Sequence, residues 1–182
     1  MNPILEEQQL IVIPDFILVD KAEALAIEFE DYCIQNNVGT PWEGLNASEM
    51  RNWPPFENLL IEMIPKVSEI AGVELLPSFA RSRVYHRGSA LFHHKDRSAC
   101  EFGVTCHLRG DTDWPLFFQR DQDEEPKSIT LSQGQAILYL GSRITHWRDL
   151  FEGDNYTQVF LFYVDKNGPH ADEAYDALNP QR

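Results

Sequence analysis

Cysteine is scarce in this chain: Cys33, Cys100 and Cys106 are the only three, and none belongs to a Cys-x-x-Cys pair. An odd count leaves one thiol over whatever the pairing, which argues against a disulfide scaffold and for free thiols in a reducing cytoplasm. Long apolar runs are also lacking, and no stretch approaches the ~18 consecutive apolar residues of a membrane span. The start, MNPILEEQQLIVIPDF, has no basic segment and sets two glutamates before a short apolar run, so it does not read as a secretory signal. Basic residues are the third shortage, with 15 Lys and Arg against 29 Asp and Glu and a formal net charge of −14. A phosphate backbone would meet repulsion unless a local basic patch overcame it, so nucleic acid is disfavoured as a partner and a basic protein is better tolerated. There is no internal repeat and no low-complexity block.

What is present is an ordinary globular composition, 43% hydrophobic and 24% charged over 182 residues, enough for one domain with a sizeable core. Within it, LIVIP reads as a short strand. Asp20, with Glu23 three residues later, reads as the N-cap of a helix that carries Ala22, Leu25, Ala26, Phe29, Tyr32 and Cys33 at helical spacing and stops at NNVGT. Residues 38–53 read as a loop with two tryptophans. WPPFENLLIEMIPKVSEIAG reads as a second helix with prolines in its first turn, kinked or broken at Pro65 and stopped at Gly72.

From Val73 the texture changes to eight short β-favouring runs: FARSRVYHRG, SALFHHKD, CEFGVTCHL, WPLFFQR, KSITLS, QAILYLG, RITHW and YTQVFLFYV. Strands this short and this numerous predict a sandwich or jelly roll. The expected fold is α+β, mainly β. Residues 1–75 form an amino-terminal strand and helical support, 76–165 the jelly-roll core, and 166–182 a surface tail. RDQDEEPK reads as a solvated hairpin connection.

FHHKDRS, residues 92–98, crowds two histidines, a lysine, an aspartate and an arginine together. Alternate residues of a strand face the same side, so His94 pairs with Asp96 and His93 with Lys95. Only the first pair offers two metal ligands, because an ammonium has no lone pair to give. His146, fifty residues beyond Asp96, can approach from a distant strand of the same jelly roll. Two histidines and a carboxylate on one face of an octahedron leave three positions open, the arrangement of non-haem Fe(II) oxygenases.

The order of these pieces resembles the 2-oxoglutarate- and Fe(II)-dependent dioxygenases, specifically their prolyl-hydroxylase-like branch. RVYHRGS is similar to that family's Tyr-x-x-Gly strand, HKD to its His-x-Asp, LSQGQAILYLG to its glycine-containing turn into an apolar strand, and THW to its distal histidine. IVIPDFILVDKAEALAIEFEDY looks like its lead-in. The resemblance implies a double-stranded β-helix with Fe(II) on His94, Asp96 and His146. It further implies 2-oxoglutarate as cosubstrate in two of the open positions and O2 in the third, with succinate and CO2 released as a substrate is hydroxylated. By analogy that substrate is a protein or peptide side chain, with a small molecule as the alternative.

One departure stands out: the family's basic residue on the last core strand, which pairs with the far carboxylate of 2-oxoglutarate, is missing from GDNYTQVF. A buried dicarboxylate needs a cation or several donors. Arg148 is the leading substitute, sharing the face of His146 if that strand continues. Arg83 is second, sharing parity with Tyr85, which matches the family's 2-oxoglutarate-binding tyrosine, and Gln158 can add a neutral donor. Each has a plainer reading: Arg148 as a structural ion pair with Asp149 or Glu152, Tyr85 as a barrel-wall aromatic. Trp114 and Trp147 are read as core aromatics before pocket lining. The His/Cys neighbourhood of His93, Cys100, Cys106 and His107 fits no zinc spacing, and buried thiols are the simpler account. The rivals to an oxygenase are a cupin-like module that binds metal or a small ligand without turnover and a zinc-stabilised structural domain.

Overall fold

The computed structural model describes residues 1–39 and 45–175. A short helix, α1 (Pro3–Gln8), precedes β1 (Leu10–Ile13) and α2 (Val19–Gln35). After β2 (Ala47–Arg51) come α3 (Pro54–Glu62) and α4 (Ile64–Ala71). The β core follows as β3 (Leu75–Tyr85), β4 (Leu91–His94), β5 (Phe102–Gly110), β6 (Leu116–Gln119), β7 (Lys127–Ile129), β8 (Ala136–Leu140), β9 (Thr145–Arg148) and β10 (Tyr156–Asp165). Two antiparallel sheets result. The larger has the order β1-β8-β5-β10-β3-β2 and the smaller β4-β9-β6-β7. Each of the eight runs read as strands after Val73 carries one, and the expected jelly roll is the observed architecture.

The large sheet buries both faces, which is why β8 and β10 are almost continuously apolar where a half-exposed strand would alternate. Its outer face packs under the helices. Ala22, Ala26, Phe29 and Cys33 form the buried stripe of α2. They join Phe56, Leu59 and Leu60 of α3 against Val84, Val104, Cys106, Val159 and Leu161. Fully buried side chains of this size contribute about 1.5–3 kcal/mol each. Phe29, Trp53 and Phe56 meet with ring centroids 5.0–5.4 Å apart and pin α2 to α3. All three cysteines are buried free thiols. No helix among the described residues is long and apolar enough to cross a membrane.

Three local expectations need correcting. Helix α2 starts at Val19, with Leu18 at the cap position and no side-chain cap, so Asp20 lies inside the first turn, where its charge favours the helix dipole. Residues 38–53 are not all loop: β2 pairs antiparallel with β3 and gives the large sheet an outer strand. Trp42 lies outside the described residues. A short helix, α1, stands ahead of the first strand, where none was read. Residues 166–175 lie at the surface and are held there, since Ser78 Oγ donates to the Glu173 carbonyl and the Tyr175 N–H to the Pro77 carbonyl. Pro65 does break its helix, into α3 and α4 at Met63, and Gly72 ends α4 in the left-handed conformation.

Candidate metal centre

Antiparallel pairing of β4 with β9 sets His94 directly opposite His146, with ring centroids 4.2 Å apart. Asp96 lies just past the end of β4, and its backbone N–H donates to the Gly141 carbonyl at 2.9 Å, anchoring it at the mouth of β8. His94 Nε2 lies 3.6 Å from Asp96 Oδ1, and His146 Nε2 lies 3.8 Å from Asp96 Oδ2. One ligand atom from each of the three falls within 4.8 Å of the others. Those separations approach the ~3 Å edge of an octahedron with ~2.1 Å bonds.

Local hydrogen bonds orient the donors. Nδ1 of His94 lies 2.8 Å from the Phe92 carbonyl, and Nδ1 of His146 lies 3.2 Å from that of Ile144. With Nδ1 directed at that carbonyl, each ring turns its Nε2 toward Asp96. The Tyr139 hydroxyl donates to Asp96 Oδ2 at 3.2 Å. Burial and the nearby Asp96 charge push the Tyr139 pKa well above its ordinary value, so it remains a donor. Burial would raise the pKa of Asp96, but the hydrogen bond from His94, the two imidazoles and Tyr139 outweigh it and hold it below the ordinary value. Burial takes His146 down to about 4. It also opposes charge on His94, where the hydrogen bond to Asp96 and the Phe92 carbonyl prevail and raise the pKa. A carboxylate and two imidazoles whose Nε2 atoms face it form, once His94 gives up its proton, a donor set suited to a divalent metal of intermediate hardness.

The triad opens on a cavity of ≈ 400 Å³. Arg83 of β3 lines it. Its side chain is 4% exposed, paired with Glu49 of β2, and its Nη1 donates to the Tyr85 hydroxyl at 3.0 Å. Burial works against the guanidinium charge, but Tyr85 and Glu49 more than restore it and raise its pKa. Gln158 faces Arg83 across the β10–β3 register.

Arg148, Gln158 and Tyr85 are not among the cavity-lining residues. The Arg148 guanidinium is buried 4.5 Å from the Trp114 ring centroid and 4.9 Å from that of Tyr156. It donates to the Trp114 carbonyl and, at 2.9 Å, to Gln158 Oε1, while Gln158 Nε2 donates to Thr105. Its partners are thus a carbonyl, an amide and two rings rather than Asp149 or Glu152. Tyr85 packs edge-on against Trp114 at 4.9 Å. His93 faces away from the triad and stacks on Trp147 at 4.0 Å, as strand parity requires. Lys95, read as facing the same way as His93, instead lines the cavity while holding Asp121 at 2.8 Å, because β4 ends at His94 and parity lapses beyond it.

Sequence reasoning missed Tyr139, Arg81 and Arg97. The signal for Arg81 was available: Phe79, Arg81, Arg83 and Tyr85 alternate along one strand and therefore share a face. Tyr139 lies in the apolar run AILYLG, where nothing in the sequence distinguishes a hydroxyl aimed at a ligand from a core aromatic.

No protein-family model matches the chain, and neither does any curated protein. Solved structures do. A Pseudomonas putida prolyl-4-hydroxylase matches with a TM-score of 0.70 at 14% identity, over 87% of this chain and 94% of that one. A Burkholderia pseudomallei oxidoreductase of the 2OG-Fe(II) oxygenase family matches at 0.68 and 16%, over 91% and 89%. HygX from Streptomyces hygroscopicus, solved with nickel and 2-oxoglutarate bound, matches at 0.68 and 13%, over 90% and 85%. Resemblance in sequence motifs and likeness in structure thus meet at the same place: this chain has the double-stranded β-helix fold of the 2-oxoglutarate- and Fe(II)-dependent oxygenases.

Proposed function

We propose that the protein is a 2-oxoglutarate-dependent non-haem Fe(II) oxygenase that hydroxylates a C–H bond of its substrate. The overall change is R–H + 2-oxoglutarate + O2 giving R–OH + succinate + CO2. The observation that carries this reading is the His94, Asp96 and His146 constellation, which presents three donor atoms on one side of a cavity whose wall holds a buried arginine. Fe(II) held there supplies the O2 chemistry and the oxidation that no side chain can perform.

The remaining work falls to the chain. His94, Asp96 and His146 occupy one face and leave the other to cosubstrate and O2. Tyr139 holds the Asp96 carboxylate in place through Oδ2. Arg83 is the natural anchor for the far carboxylate of 2-oxoglutarate, since it reaches the cavity and stays charged, with Tyr85 orienting its Nη1. Arg148 instead rigidifies the barrel interior behind it and fixes Gln158 and Trp114. A basic residue on the first core strand thereby takes the place of the one that β10 lacks.

Solved structures with this fold include proteins described as prolyl hydroxylases, as the carbocyclase SnoK and as the epimerase SnoN. The fold therefore leaves the outcome to the substrate held beside the metal.

Turnover is read as succinate formed from 2-oxoglutarate in air with Fe(II) and ascorbate. The wild-type chain is expected to form succinate, and Asp96→Ala to lose at least a hundredfold. A module that binds without turnover would load both ligands and release no succinate, and equal rates in the variant would remove the triad.

A further inference from the structure

A buried guanidinium needs a counterion, and Arg83 meets its own on the outermost strand of the large sheet. Strand β2 pairs with β3 in a register that sets Ala47 opposite Tyr85, Glu49 opposite Arg83 and Arg51 opposite Arg81. On the other side of β3, Gln158 of β10 faces Arg83. Glu49, Arg83 and Gln158 thus form one polar row across three neighbouring strands. In that row Gln158 accepts from Arg148 and donates to Thr105. The charge of Arg83 is met from the β2 side, where its Nε donates to Glu49 Oε2 at 2.5 Å. With side chains 8% and 4% exposed, the pair is shielded from the solvent screening that weakens surface ion pairs.

Two nitrogens of this guanidinium are claimed by different residues: Nε by Glu49, and Nη1 by the Tyr85 hydroxyl at 3.0 Å. A guanidinium is planar and rigid, so bonds at two separate nitrogens fix its plane. Both partners are themselves steadied. Tyr85 is fully buried with its ring edge-on to Trp114 at 4.9 Å, and Glu49 Oε1 lies 3.8 Å from Arg81 Nε. Arg83 lines the cavity and Glu49 does not, so Glu49 reaches a cavity ligand only through the arginine it holds.

We propose that Glu49 is the positioning residue of the cosubstrate site, holding Arg83 so that its terminal nitrogens meet the far carboxylate of 2-oxoglutarate. This deepens the oxygenase reading and rests on Arg83 as the anchor. Fixing a ligand-facing side chain before the ligand arrives removes an ordering cost worth roughly two- to tenfold in affinity. Removing the Glu49 charge also relieves repulsion of the incoming carboxylate, so a neutral variant that keeps the acceptor separates orientation from charge.

The test titrates 2-oxoglutarate anaerobically into the full chain loaded with Fe(II) and reads dissociation constants from the charge-transfer band, with Mn(II) affinity and urea unfolding measured on every variant. Glu49→Ala should weaken 2-oxoglutarate binding about five- to tenfold at unchanged Mn(II) affinity, and Glu49→Gln, which keeps an acceptor for Nε, should stay within about twofold of wild type. In an Arg83→Gln background Glu49→Ala should change nothing further, because the residue through which it acts is gone. Where Glu49→Ala does not fold, Glu49→Asp, which keeps the charge and draws it back by one methylene, should show the same weakening. Full affinity in these variants, equal loss in Glu49→Gln, tighter binding in any Glu49 variant, a parallel loss of Mn(II) affinity, or a loss that persists in Arg83→Gln would overturn the inference. A wild-type band that Arg83→Gln weakens and Glu49→Ala does not removes the positioning role alone. A band that Arg83→Gln leaves unchanged removes the anchor and the positioning role together, and no band in the wild-type chain removes the oxygenase reading with both.

Discussion

Two buried arginines of similar sequence promise divide at the level of single atoms. Arg83 presents its guanidinium to the cavity, whereas Arg148 spends its hydrogen bonds on the Trp114 carbonyl and Gln158. Their substitutions should therefore separate. Arg83→Gln is expected to raise the 2-oxoglutarate concentration for half-maximal succinate formation roughly ten- to hundredfold, the value of a charge-assisted hydrogen bond, and also to lower stability, because it leaves the buried Glu49 carboxylate without its ion pair. Arg148→Ala leaves two buried acceptors without their donor and should cost about 1 to 3 kcal/mol for each in urea unfolding. A large shift in 2-oxoglutarate dependence from Arg148→Ala with none from Arg83→Gln would reverse the assignment. The sequence alone does not separate the two, because parity gives the face a residue shares and not the partners that claim its side chain once buried.

At the scale of elements, the site is a product of register. His94 and His146 meet because β4 pairs with β9, and Asp96 is reached from β8 by the Tyr139 hydroxyl. Tyr139 lies over Gly103 of the neighbouring strand, where a Cβ would fall 2.5 Å from its ring. Gly103→Ala must push that ring aside, so it should weaken Fe(II) or Mn(II) binding about tenfold, as should Tyr139→Phe, the usual scale for a group supporting a ligand. Metal affinity unchanged in both variants would show that Asp96 needs no support. Strand alternation and turn residues made the core strands legible, and parity picked His94 and Asp96 from a crowded stretch. Strand β2 escaped because ASEMR has no β-branched or aromatic residue, and its place in the sheet comes from pairing with β3. The start of α2 was misplaced because Leu18 occupies the cap position without a capping side chain.

Across the whole molecule, burial makes stability depend on pH. His107 sits stacked on Tyr156 at 4.3 Å, and burial, aided by the Arg148 charge, pushes its pKa down to about 4. The folded chain keeps it neutral while the unfolded chain takes up a proton near pH 6.5, so its share of stability is full above that pH and falls as pH drops toward 4. Between pH 7.5 and 5 the loss from this residue is about 2 kcal/mol. His107→Gln should flatten the wild-type pH dependence of urea unfolding by that amount, and parallel curves would contradict the burial argument.

The central claim is that one cavity assembles Fe(II) on His94, Asp96 and His146 with 2-oxoglutarate beside it. Anaerobic titration of the chain with Fe(II) and then 2-oxoglutarate, followed by visible absorption, tests this most directly. A metal-to-ligand charge-transfer band that saturates at one equivalent and vanishes in Asp96→Ala is the predicted result. No band in the wild-type chain, or the same band in Asp96→Ala, would contradict it.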